Sequence, residues 1–274
     1  MKRKLFAAPY GVWMLLFTVV PIFLIVYYAF TTGEAAFTLE NFQLFLEPVF
    51  VDILVFSLWL AFLCTALCLL IGYPAALFLA SKDFKRSSMV VVLFVIPMWM
   101  NFLLRTYAWM TLLEDTGLIN RFLEWIGVGR IKLMYTENAV LMGMVYNFLP
   151  FMVFPIYSVL MKSDTRLLEA AQDLGANAWR SFWRVTFPLS IPGIVSGITM
   201  VFMPAVTTFV IPRLLGGGMF MMFGDLIESQ FLTTGDWNFG SALSLIMMAL
   251  ILVSIGILNR VDPGGQAAEG GGLW

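Results

Sequence analysis

Glu169–Gly193, EAAQDLGANAWRSFWRVTFPLSIPG, is a polar, amphipathic island between two strongly apolar segments. Arg166 precedes it, and Arg180 and Arg184 lie inside it. Connections between packed helices commonly need about 2–8 residues. This one, over 162–191, is several times longer, yet it is rich in helix formers rather than in Gly and Ser. Such a segment is predicted to be a folded projection that another protein touches. Glu169-Ala-Ala171 favours helix, and Gly175 can end that helix at positive φ. Ala176 to Val185 reads as a second short helix, with Trp179, Phe182 and Trp183 at helical spacing and Arg180 and Arg184 four apart. Pro188 is predicted to stop it, and Pro192 to sit in the first turn of the next apolar segment. Spacing leaves two readings open: an interfacial helix with its aromatics in lipid headgroups, or a helix gripped by a partner protein.

The rest of the chain explains why the island stands out. Of 274 residues, 61% are hydrophobic and 12% charged, with a mean hydropathy of +0.89. A soluble domain carries about 25% charge, so the composition is that of an all-α polytopic membrane protein. A net charge of −1 without Lys/Arg blocks excludes a basic nucleic-acid binder. The lack of histidine removes a histidine-based metal site or general base. Neither HExxH nor GxSxG occurs, which argues against a membrane enzyme, and no catalytic or metal-binding residues are assigned. Cys64 and Cys68, four apart in an apolar run, read as small packing residues on one helix face.

A bilayer core requires about 20 apolar residues as helix. Six stretches qualify, near 9–30, 53–80, 88–113, 138–161, 192–212 and 240–259. The first follows Lys2, Arg3 and Lys4; its apolar region is too long for a signal peptide, so it reads as a retained helix. The connection after it holds Glu34, Glu40, Glu47 and Asp52 without Lys or Arg, whereas the turn after the second span holds Lys82, Lys85 and Arg86. The positive-inside rule then places that basic turn, the 162–191 loop and both termini in the cytoplasm. Residues 261–274 read as a Gly-rich, disordered cytoplasmic tail.

Glu169-Ala-Ala171, three residues, Gly175, nine residues, Val185, one residue, Phe187 and Pro188 resemble the EAA loop of binding-protein-dependent ABC importer permeases. That pattern is EAA–x3–G–x9–I–x–L–P, so Val185 and Phe187 are mild apolar departures. Gly72-Tyr-Pro74, Trp99 to Trp109, Gly117-Leu-Ile-Asn120, Leu149-Pro-Phe151 and Asp236-Trp-Asn-Phe-Gly240 are similar to polyamine-type permeases, of the spermidine/putrescine kind. Asp225 and the Gly-rich tail depart from that pattern.

The resemblance implies the six-helix MetI-like fold of type I ABC importers, with 1–260 as the transmembrane domain. It implies a heterodimer with a second permease subunit, two copies of an ATPase subunit and an extracytoplasmic polyamine-binding protein, in a bacterial inner membrane. This chain then holds no cofactor, ATP and Mg belonging to the ATPase; no GxxxxGK[ST] occurs here. Glu169, Ala170, Ala171, Gly175, Arg180, Arg184 and Pro188 become the ATPase-coupling set, Glu169 pairing with a basic group and the small residues allowing close helix approach.

The pathway residues are harder to assign. Arg105, inside the third span, would repel a cation and is expected to pair with a carboxylate of the partner permease. Trp99 and Tyr107 offer aromatic faces to ammonium groups, worth about 0.5–2 kcal/mol each, or belong to an interfacial belt. Asn101 and Asn147 supply polar contacts to a substrate or helix–helix hydrogen bonds. Pro97, Pro150, Pro155 and Pro204 are expected to interrupt spans three to five. Rival readings keep the architecture for iron, thiamine or phosphonate, or make the chain a self-contained secondary carrier or channel, which needs no ATPase-docking loop.

Overall fold

The computed structural model describes residues 9–32, 37–81, 96 and 98–261. Lys2 to Lys4, Glu34, the basic turn with Lys82, Lys85 and Arg86, Pro97, most of the first half of the third span and the tail from Asp262 lie outside these residues. Helices account for most of the described residues. They are α1 (Pro9–Ala29), α2 (Glu40–Phe45), α3 (Pro48–Ala80), α4 (Phe102–Leu113), α5 (Leu118–Trp125) and α6 (Glu137–Lys162). They continue as α7 (Thr165–Asp173), α8 (Ala178–Thr207), α9 (Val210–Leu215), α10 (Phe223–Ser229) and α11 (Trp237–Val261).

Five of them, α1, α3, α6, α8 and α11, are long and apolar enough to cross a membrane. The expected third span differs. Its backbone leaves the helix at Met100–Asn101 and restarts as α4, a helix of 12 residues. Asn101 takes φ −55° and ψ 129°, and its side chain accepts from the Leu103 and Leu104 N–H groups, satisfying donors that a helix start leaves free.

The core is the triangle of α3, α6 and α8. These helices approach closely because small residues line their contacts. A Cβ on Gly193 of α8 would lie 2.9 Å from the Ile156 Cα of α6, so backbone meets backbone there. Met152, fully buried, threads between Gly72 of α3 and Gly197 of α8, its unbranched thioether filling the gap. Cys64 and Cys68 are both buried free thiols on the inward side of α3. Outside the triangle α1 packs along α11. The end of α1 is tied by two amides: Asn41 Nδ2 donates to the Ala29 and Thr31 carbonyls at 3.0 and 3.1 Å, and Asn238 Nδ2 to the Thr31 carbonyl at 2.6 Å.

Two expectations about proline fail. Helix α6 is unbroken through Pro150 and Pro155, and α8 through Pro192 and Pro204. An internal proline removes one donor and bends a helix, which packing in the triangle tolerates. Nor does Pro188 stop the second loop helix. Phe182–Thr186 form a π turn, with the Phe187 N–H donating to the Phe182 carbonyl, and Pro188 falls in the first turn of the α-helical stretch that restarts beyond it. The missing N–H falls where the hydrogen-bond register shifts from the π turn to the α-helix, so the helix continues past the proline. The fifth span, expected over 192–212, is therefore the distal part of a helix that starts at Ala178 and ends at Thr207, where Thr208 turns extended.

Candidate functional site

The quoted stretch folds as a helical hairpin on one face of the bundle. Asp164 caps α7 by accepting from the Arg166 N–H at 2.9 Å, and Asn177 caps α8 by accepting from the Arg180 N–H at 2.9 Å. Between them the Ala176 N–H donates to the Ala171 carbonyl at 3.0 Å and the Gly175 N–H to the Gln172 carbonyl at 2.9 Å. With Gly175 at φ +80°, this is a Schellman end, whose left-handed residue is strained for anything with a Cβ. The Ala171 carbonyl and the Gly175 backbone thus make one device.

Nearly everything the sequence assigns to coupling is presented outward. Glu169, Ala170, Gly175, Arg180, Arg184 and Pro188 are exposed and Ala171 is half-exposed. Nothing lies within 4 Å of where a Cβ on Gly175 would stand. Leu174 is 89% exposed and Trp179 69%, so the hairpin carries apolar surface that its own chain does not cover.

Behind that surface is a cluster that sequence reasoning missed. Tyr73 of α3 sets its ring 6.0 Å from those of both Phe182 and Phe187, which bracket the π turn. Its hydroxyl is 3.0 Å from the Ser190 Oγ. Trp179 and Trp183 extend the cluster outward, Trp183 lying 5.2 Å from Phe182. The available signal was Tyr73 itself: a tyrosine within an apolar span needs a partner for its O–H.

The four residues proposed to line a pathway are not brought together. Trp99 is 86% exposed and Tyr107 is also exposed, both on the outside of this chain. Asn101 is committed to capping α4. Asn147 is buried in α6, its Nδ2 donating to the Gly143 carbonyl at 2.8 Å while its Oδ1 has no partner. Arg105 is buried as well, and among the described residues its Nε and Nη1 have no hydrogen-bond partner. Trp109 packs edge-on to Tyr146.

On the opposite face Asp225 finds the partner its sequence context did not suggest. Arg213 Nη2 donates to Asp225 Oδ1 at 2.5 Å, and the same guanidinium holds both oxygens of Glu228. These hydrogen bonds push Arg213 above and Glu228 below their ordinary pKa values. The triad pins α9 to α10. Among the described residues no group of three or more acidic or cysteine side chains could hold a metal ion.

Comparison with known proteins bears on this arrangement. Residues 70–264 match the family described as "Binding-protein-dependent transport system inner membrane component". The chain is 40% identical over 252 residues to the spermidine/putrescine transport system permease protein PotB of Escherichia coli (strain K12), covering 88% of this chain and 92% of that one. It is 37% identical over 258 residues to the protein of the same name from Haemophilus influenzae, covering 91% and 90%. The fold is similar to a chain of a bacterial ABC transporter that imports the acidic polysaccharide alginate, with a TM-score of 0.74 at 19% identity, covering 94% and 96%.

Proposed function

The chain belongs to the family of binding-protein-dependent transport system inner membrane components, and on that premise we propose that it is one permease half of an ATP-driven importer of polyamines of the spermidine/putrescine class. It is a multi-pass inner-membrane permease component and not an ATPase. The observation that carries the substrate is the 40% identity to a spermidine/putrescine permease across 88% of this chain.

In this reading the hairpin of α7 and the start of α8 faces the cytoplasm and is gripped by one of two ATPase subunits, which hold ATP and Mg. The Schellman end fixes the angle between the two helices, so Glu169, Arg180 and Arg184 are offered in a defined constellation. Because α8 runs from the hairpin to Thr207 with one π turn at Phe182–Thr186 on the way, a push on the hairpin is delivered into the core provided that turn holds its shape. A second permease subunit of the PotC kind faces this chain across the pathway, and an external binding protein of the PotD kind delivers solute to the opposite face. Exposed Trp99 and Tyr107 offer faces on which ammonium groups rest weakly during transit.

The test is uptake of radiolabelled spermidine and putrescine by vesicles carrying all components, with ATP inside the face that bears the hairpin. ATP-dependent uptake of either, blocked by the other, is the expected result. Uptake by this polypeptide alone, or a solute other than a polyamine competing best, overturns the reading.

A further inference from the structure

Gly72-Tyr-Pro74, in the last third of the apolar helix α3, has no part in the coupling hairpin itself. Yet Tyr73 is where α3 touches the root of that hairpin. The Ser190 hydroxyl donates its proton to the Phe187 carbonyl at 2.7 Å. A serine has one proton and two lone pairs, so in the 3.0 Å contact between the two hydroxyls Tyr73 donates and Ser190 accepts. The bond is directional, and Ser190 is fully buried. Around it the Tyr73 ring meets Phe182 and Phe187, on either side of the π turn.

That position matters because a π turn is a weak point in a helix, where the axis can swivel. A force applied to the hairpin would be absorbed there unless something spans the turn. Nearby, a cleft of about 170 Å³ lined by Leu77, Ala80, Leu168, Val185 and Leu189 separates the hairpin from the end of α3. The Tyr73 cluster is the bridge beside that gap.

We infer that Tyr73 is a positioning residue for energy coupling: its hydroxyl on Ser190 and its ring on Phe182 and Phe187 brace the π turn, so that displacement of the hairpin moves α3 and α8 together. The inference rests on the coupling reading above. It assigns Tyr73 no contact with solute or nucleotide.

The experiment uses the complete transporter in proteoliposomes and reads spermidine uptake and ATP hydrolysis in the same sample. Tyr73→Phe keeps both ring contacts and removes only the donated proton. ATP consumed per spermidine imported is expected to rise about fivefold, the scale of one lost hydrogen bond, while hydrolysis stimulated by the binding protein is retained. Ser190→Ala gives the same ratio, the double variant is no worse than either single one, and Ser190→Thr, which keeps a hydroxyl, stays near the parent. A parental ratio in assembled Tyr73→Phe overturns the inference, as does a parallel fall of uptake and hydrolysis. If Tyr73→Phe does not assemble, Ser190→Ala decides, and failure of both to assemble marks the contact as structural and overturns it too. Gly175→Asp serves as the control. Normal uptake in that variant sinks the coupling reading itself, whereas loss of coupling there with a parental Tyr73→Phe removes only the brace.

Discussion

The hairpin before α8 and the segment after it, Thr208 to Asp236, leave the same helix in opposite ways. The hairpin turns outward: beyond Leu160 the first buried side chain among those described is Ser181, and Leu167, Leu174, Trp179 and Trp183 lie exposed. The later segment folds inward. Ile211, Leu215, Met222 and Phe223 are fully buried, the Phe223 N–H donates to the Ser57 Oγ of α3 at 2.8 Å, and the Tyr135 N–H to the Leu215 carbonyl at 2.9 Å. One connection buries its apolar side chains against the bundle; the other leaves Leu174 and Trp179 uncovered by the described residues. Substitutions in the inward segment should therefore be felt as stability, and those in the hairpin as transport.

The inward segment gives the largest expected effect. A Cβ on Gly224 would stand 2.2 Å from the Thr207 carbonyl oxygen, a backbone atom that cannot step aside. Gly224→Ala is expected to cost about 3 kcal/mol, read as a lowered melting temperature of the purified protein; an unchanged melt would break the contrast. Ser57→Ala orphans the Phe223 N–H and is expected to cost about 2 kcal/mol by the same measurement. The hairpin should answer differently. Gly175→Asp is expected to lower uptake about tenfold, some 1.4 kcal/mol in the transport barrier, with the melt lowered by only about 1 kcal/mol of left-handed strain, well below the loss for Gly224→Ala.

The smallest effect concerns acid. Arg213 holds the Glu228 pKa below its ordinary 4.5, so the pair stabilises the fold above that pH. The contribution is lost as pH falls from about 4.5 through the folded value. Arg213→Gln should flatten that acid limb in a melting series and leave the neutral melt close to the parent, since such partly exposed pairs contribute little. An acid limb as steep as the parent's would show that the triad does not hold the segment.

Much of this contrast can be seen in the sequence, and the part that cannot has physical causes. Hydropathy locates five of the six expected spans among the described residues, because burying backbone in lipid demands long apolar helices. Glu169-Ala-Ala171 and Gly175 signal the turn because a Schellman end has local chemistry. Pro188 misleads because the effect of a proline depends on the register before it, and the extra residue of the π turn leaves no signature in composition. The end of α8 is invisible for a related reason: Phe209-Val-Ile211 continues the apolar run while the backbone turns at Thr208. Asp225 and Arg213 lie 12 positions apart, with no periodicity to pair them. Asn101 looks like a polar group for a solute, yet it terminates a helix. Tyr73 and Ser190 are 117 positions apart, a pairing only the packed triangle creates.

The widened turn at Phe182–Thr186 accommodates one residue more than an α-helix would. Each residue of a regular helix advances about 100° around the axis. The wide turn takes up that advance, so the outward hairpin keeps the direction that a regular helix one residue shorter would give it, with Glu169 and Arg180 not swung around α8. The azimuth of the hairpin is thus kept by the width of one turn, and a further residue inserted where the helix stays regular would swing it by roughly 100°.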